Sequence, residues 1–132
     1  MKLIDKLAWI EIQDGKILST RSKGRTIYYI PGGKREAGET DFQALRREIQ
    51  EELSVNLKED SMAFTGIFQA QADSHPEGIQ VKMTCYTGAY TGTLLPASEI
   101  AEVVWLNYKH KHLTSPVDHL IFDWLKEQKL LQ

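Results

Sequence analysis

Apolar residues in the first thirty positions come in short β-branched and aromatic runs broken by turn formers. Residues 7–12 and 17–21 flank Asp14-Gly15, a pair favoured in two-residue turns, and so predict an opening β-hairpin. Residues 26–30, Thr-Ile-Tyr-Tyr-Ile, predict a further strand that Pro31-Gly32-Gly33 stops. The spacing then changes. Phe42, Leu45, Ile49 and Leu53 recur every three or four residues, the single buried stripe of a helix. Thr40 and Gln43 form a capping box that starts this helix near Asp41. Alternation returns at 63–70 and 79–90, two long strands joined by a polar loop, 71–78, placed to overhang a site. Residues 91–95 lead to a turn at Pro96-Ala97-Ser98, and 103–106 predict another strand. Ser115-Pro116 marks a second helix start, with Val117, Leu120, Ile121, Trp124 and Leu125 as its apolar face. Strands between two such helices predict an α/β sandwich around a mixed sheet. With no repeat, low-complexity tract or linker in view, one domain over 1–132 is expected.

Composition narrows the class. At 132 residues the chain is long enough to bury a core without disulfides, and Cys85, the only cysteine, has no intramolecular partner. No Cys/His spacing resembles a zinc site, and a reducing, cytoplasmic setting is expected. Lys2, Asp5 and Lys6 interrupt the N-terminal apolar residues, so no signal peptide is expected. No apolar run approaches the roughly 20 residues of a bilayer span. These readings predict a protein that neither spans a membrane nor, with a net charge of only -2, binds DNA through its overall charge.

The charge is unevenly placed, and that changes the picture. Between Lys16 and Arg35 lie six bases (Lys16, Arg21, Lys23, Arg25, Lys34, Arg35) and no acid, whereas 36–60 is rich in Glu and Asp. A basic segment beside an acidic one suits an anionic substrate and divalent cations, or forms two solvated faces. On the 41–53 helix, with Glu48 at zero and about 100° per residue, Glu52 falls near +40° and Glu51 near -60°, so three carboxylates share one face bordering the core. Like charges at that spacing each destabilise by about 0.2–0.5 kcal/mol. Acids in the last turn add about 0.3–1 kcal/mol each against the helix dipole. A hard divalent cation, Mg²⁺ or Mn²⁺, would offset this, as would solvation aided by Arg46, Arg47 and Lys58.

The segment ahead of the helix, Pro31 through Glu39, is a glycine-rich loop with bases beside the glycines, where backbone can approach phosphate. Here the sequence resembles the Nudix family, whose signature is G-x5-E-x7-R-E-U-x-E-E-x-G-U with U aliphatic. Gly33, Glu39, Arg47, Glu48, Ile49, Glu51, Glu52 and Val55 fall in register, and Ser54 stands where the family has glycine. That glycine ordinarily ends the helix in a left-handed conformation, which costs another residue roughly 1–2 kcal/mol, so lost stability or a shifted helix end is expected, and not lost chemistry.

The resemblance implies a Nudix-type sandwich and hydrolysis of a diphosphate linkage in a nucleotide-like small molecule, by a metal-activated water. It implies Glu48 and Glu52 as the principal metal ligands, Glu51 as a ligand or water-activating partner, the Gly33 carbonyl as a further ligand, and Arg47 as the residue that orients the glutamates. Glu99 is the favoured general base, with Glu102 and Glu77 as alternatives; each is otherwise a surface acid. For substrate, Arg21 and Lys34 of the basic segment are candidate anion contacts. Asp118 either reads a purine edge, as in relatives, or caps its helix. Tyr28, Tyr29 and Trp124 either stack on a base or fill core. His75, His110, His112, His119 and Cys85 are expected in solvated or core roles. The expected activity is a house-cleaning nucleoside triphosphate pyrophosphohydrolase of MutT-like type, acting on oxidised or noncanonical nucleotides, as monomer or homodimer. The alternatives are an inactive nucleotide-sensing Nudix-like module, a Nudix enzyme for ADP-ribose or dinucleoside polyphosphates, and a diphosphate isomerase, for which no additional acid/base residues are located.

Overall fold

The computed structural model describes residues 2–132. In chain order the elements are β1 (Lys2–Trp9), β2 (Ile12–Gln13), β3 (Lys16–Ser22), β4 (Gly32–Gly33), α1 (Asp41–Leu53), β5 (Asn56–Leu57), β6 (Ala63–Gln71), β7 (Ile79–Thr87), β8 (Tyr90–Thr91), β9 (Ile100–Leu106) and α2 (Pro116–Glu127). Two 3-10 helical segments, Glu59–Ser61 and Tyr108–Leu113, complete it.

β1 organises the rest. It pairs in parallel with β7 and antiparallel with β4, and β7 pairs antiparallel with β6, giving a mixed four-stranded sheet ordered β4-β1-β7-β6. Successive residues of a strand face opposite sides. Leu7 and Trp9 therefore pack with Leu45, Ile49 and Leu53 of α1, while Ile4 and Ala8 pack with Val117, Ile121, Phe122 and Leu125 of α2. The outcome is the α/β sandwich expected, the mixed sheet lying between two helices of unequal role. Each fully buried large side chain of these two cores stabilises by about 1.5–3 kcal/mol. A second, antiparallel sheet, β2-β3-β9, and the small β5-β8 pair lie alongside.

The predicted hairpin forms, with Asp14 and Gly15 both at positive φ between β2 and β3. The strand before it, however, leaves for the other sheet. The strand expected at 26–30 does not form. Thr20 and Tyr29 exchange backbone bonds of 2.8 Å, the Tyr28 N–H goes to Leu113 at 2.9 Å, and the Ile30 N–H goes to the Asp118 carboxylate at 3.0 Å. Adjacent residues are thus satisfied by three different partners, so no continuous ladder can build. The run expected at 79–90 divides into β7 and β8, and β9 begins three residues earlier than the expected 103–106.

Ser54 caps α1 in the left-handed conformation, φ 66° and ψ 19°, so the helix ends where the missing glycine would end it. Ser54→Gly is therefore expected to stabilise by about 0.5–1 kcal/mol, the relief of strain being partly offset by glycine's freedom in the unfolded chain. A urea midpoint that moves upward with unchanged slope checks this; an unchanged midpoint would mean that the bond from Ser54 Oγ to the Leu95 carbonyl (3.3 Å) matters as much as the strain.

Candidate active site

The capping box is made as expected: Thr40 Oγ1 accepts the Gln43 N–H at 3.2 Å and the Gln43 side-chain oxygen accepts the Thr40 N–H at 3.0 Å. That start fixes the register in which α1 delivers its last two turns. Glu48 and Glu52 project into a cavity of about 560 Å³, where Gly32, Gly33, Lys34 and Glu99 also line the wall. Glu52 is 7% exposed, in line with the shielding its place beside the apolar stripe implies.

The Glu48 side chain occupies the space that a side chain at Gly33 would need. A Cβ at Gly33 would stand 2.4 Å from the Glu48 carboxyl carbon, so only glycine leaves room for that carboxylate. Burial pushes the Glu48 carboxyl above its ordinary range, opposed by Arg47. Glu52 is pushed up to about 8, first by burial and then by the charges of Glu48 and Glu99, with the Gly32 amide and Lys6 opposing. Two carboxylates that both resist ionisation, with a third nearby, form a donor set suited to a hard cation. The chemistry of the residues present thus fits a divalent metal.

Arg47 holds this end together. Its Nε and Nη2 donate to the two Glu39 oxygens at 2.8 and 2.9 Å, Nη1 donates to Glu48 at 2.9 Å, and Nη2 also reaches the Lys34 carbonyl at 3.0 Å. The paired bonds depress the Glu39 carboxyl to about 2. Glu39 also accepts the Glu36 N–H at 2.8 Å, so loop and helix are tied as one unit.

Glu51 behaves differently. Its side chain is 56% exposed and stands 3.7 Å from Arg47, outside the cavity lining. Among the described residues no three His, Cys, Asp or Glu side chains are gathered into an ion-holding group. What the fold assembles is Glu48 and Glu52, with Glu99 facing them. Of the alternatives to Glu99, Glu102 is engaged with Arg21 (3.0 Å) and Tyr28, and Glu77 lies exposed in the 71–78 loop. Arg21 and Tyr28 are consequently held by Glu102 and do not line the cavity.

Tyr29, Ile30, Ser115, Val117 and residues 71–75 of the polar loop, including His75, also line the cavity. Arg25 ties that loop down, donating to Asp73 at 3.1 Å, Ser74 at 2.8 Å and the Tyr29 hydroxyl at 3.0 Å. Trp124 packs edge-on against Phe68, and Cys85 is a buried thiol pushed up to about 12 by burial.

Asp118 is fully buried and does not cap its own helix; one oxygen accepts the Ile30 N–H and the other, Oδ1, is buried with no partner. Burial pushes its carboxyl up to about 7, opposed by the Ile30 amide and then by the nearby Ser115 hydroxyl, whose own oxygen makes no hydrogen bond of ordinary geometry. Between about pH 4 and 7 the folded chain therefore keeps a proton that the unfolded chain releases, so stability falls as pH rises through that window and levels off above it. Asp118→Asn should remove that part of the slope. Metal-free denaturation midpoints of parent and variant should nearly coincide at pH 4 and separate by pH 8, the variant being the more stable; parallel curves would show that Asp118 does not titrate in this window.

Lys6, which the sequence reading passed over, also lines the cavity. The signal was available: a base on the row of a strand whose other members, Ile4 and Ala8, are apolar.

The NUDIX domain family model matches residues 6–125. Solved structures with the same fold include the E. coli ORF135 protein (TM-score 0.75, 26% identity, covering 98% of this chain and 92% of that one). A NUDIX hydrolase from Nitrosomonas europaea superposes with TM-score 0.74 at 22% identity, covering 99% and 97%. The MutT NUDIX hydrolase from Burkholderia pseudomallei gives 0.70 at 21%, covering 91% and 93%. No curated protein matches the sequence.

Proposed function

The chain belongs to the NUDIX family and is a Nudix hydrolase, and from that premise we propose that it is a Mg²⁺-dependent pyrophosphohydrolase of nucleoside triphosphates, of house-cleaning type. The observation that carries the reading is the pair of carboxylates Glu48, partly buried against Gly33, and Glu52, buried, both pushed toward the neutral form, on the wall of a cavity of about 560 Å³. Similarity to MutT proteins supports the substrate class.

Glu48, Glu52 and the Gly33 carbonyl would hold Mg²⁺, for which Mn²⁺ substitutes, and Glu51 would join from the rim by turning away from Arg47. When bound, the cation neutralises charge on the phosphoryl oxygens and eases loss of a proton from water. Glu99, on the same lining as Glu48 and Glu52, would act as the general base that accepts a proton from the attacking water. Arg47 keeps Glu48 aimed, since its fork is anchored by Glu39. Lys34, on the lining, offers its ammonium to the outer phosphate. Asp118, whose Oδ1 has no partner, does not line the cavity and would read a base edge only through a shift of the Ser115 and Ile30 wall that covers it.

The test is a nucleotide panel with Mg²⁺, in ¹⁸O-water, with products read by mass spectrometry. A nucleoside monophosphate plus pyrophosphate is expected, and label position reveals which phosphorus is attacked. Absence of any cleavage of nucleoside diphosphate derivatives would end the proposal.

A further inference from the structure

β1 carries two kinds of residue on the face it turns toward α2. Ile4 and Ala8 are core; Lys6, between them, is paired in register with Met83, and both line the cavity. A strand position flanked by buried apolar neighbours ordinarily takes an apolar side chain. Here it takes an ammonium that forms no ion pair among the described residues, unlike Arg21, Arg25, Arg35, Arg47 and Lys111. Its charge draws down the carboxyl of Glu52 on the cavity wall and that of Asp118, which is buried behind the lining. The ammonium thus shares one lining with the carboxylate pair and with the Ile30, Ser115 and Val117 wall, and no hydrogen bond or ion pair engages it among the described residues.

A positive charge in that place matches one part of a nucleotide, the phosphoryl group next to the sugar. We propose that Lys6 is a specificity-determining residue that binds the oxygens of this nucleoside-side phosphate and thereby sets the substrate's register in the cavity. The proposal rests on the hydrolase reading above for the direction in which the nucleotide lies. A lysine that served only as a counter-charge for Glu52 and Asp118 would matter for stability but would not distinguish a nucleotide from its nucleoside.

Two variants separate these roles: Lys6→Met, close in size and uncharged, and Lys6→Arg, which keeps the charge. Calorimetric titration without divalent metal compares the four common deoxynucleoside monophosphates with their nucleosides. The parent should bind at least one monophosphate more tightly than its nucleoside. Lys6→Met should lose about tenfold to a hundredfold in that monophosphate affinity, the worth of one charge-assisted hydrogen bond, with nucleoside affinity unchanged. Lys6→Arg should recover most of it, and raised salt should weaken the parent more than Lys6→Met. With Mg²⁺, Lys6→Met should raise KM by a similar factor while kcat changes little. Equal monophosphate affinity in parent and Lys6→Met, or a parent that prefers no monophosphate over its nucleoside, overturns the proposal. A parent that binds in this way but cleaves nothing leaves Lys6 in place and removes the hydrolase reading. A parent that cleaves, with KM and affinities unmoved in Lys6→Met, does the reverse.

Discussion

Glu52→Gln is expected to lower kcat/KM by more than about a hundredfold, because even groups that only support a metal ligand typically contribute 10–100-fold and this one is proposed as a ligand itself. Stability should move the other way. The Glu52 carboxyl is pushed up to about 8 from its ordinary 4.5, so the folded, metal-free chain loses stability as pH climbs between those values, where the unfolded chain has already given up the proton. Glutamine, neutral throughout, escapes that loss. A metal-free variant at pH 8–9 should therefore unfold at a higher temperature than the parent while being nearly inactive with Mg²⁺. Cleavage at the parent's rate would remove Glu52 from the chemistry; equal loss of stability and activity would show a packing defect in its place.

Gly32→Ala should be the most damaging single-methyl change near the site. At φ 154° the added Cβ would lie 2.0 Å from the Leu7 carbonyl oxygen and 2.9 Å from the Ala8 Cα. These are backbone atoms of the neighbouring strand and cannot swing aside. Relief requires β4 to part from β1, which shifts Gly33 from its contact with Glu48. Backbone strain of this kind alone is worth about 1–3 kcal/mol, and overpacking adds about 1–3 more. A loss of at least about 3 kcal/mol in urea denaturation is expected, with activity falling beyond what the folded fraction explains. Gly38→Ala is the control: φ is +82° but no atom lies within 4 Å, so only the left-handed strain of about 1–2 kcal/mol should appear. If the two glycines prove equally tolerant, steric closure between β4 and β1 is not what positions the loop.

Much of this was legible in the sequence because it is local. The capping box at Thr40 and Gln43, the stripe through Leu45, Ile49 and Leu53, and Ser115-Pro116 each depend on residues a few positions apart. So does the burial of Glu52, which follows from its place beside the stripe. What escaped depends on distant partners. Residues 26–30 have strand-like composition, yet their backbone groups are claimed by Thr20, Leu113 and Asp118 in turn. Asp118 looked like a capping acid because nothing nearby in sequence reveals that its carboxylate would reach Ile30, 88 positions away. The placement of Arg21 and Tyr28 was decided by Glu102, from β9. Glu51, on the correct helical face by spacing, was drawn off by Arg47, since an arc of about 100° per residue says which side a carboxylate starts from and not which neighbour it chooses.

The parallel pairing of β1 with β7 bears on how the chain comes together. Lys2 lies beside Ile79 and Trp9 beside Tyr86, so β1 waits for its neighbour until β7, far along the chain, has been made. Closing so long a loop is slow compared with forming α1 or the β2-β3 hairpin. The cavity floor is therefore a late product of folding, complete only when residues 2–9 and 79–86 have met.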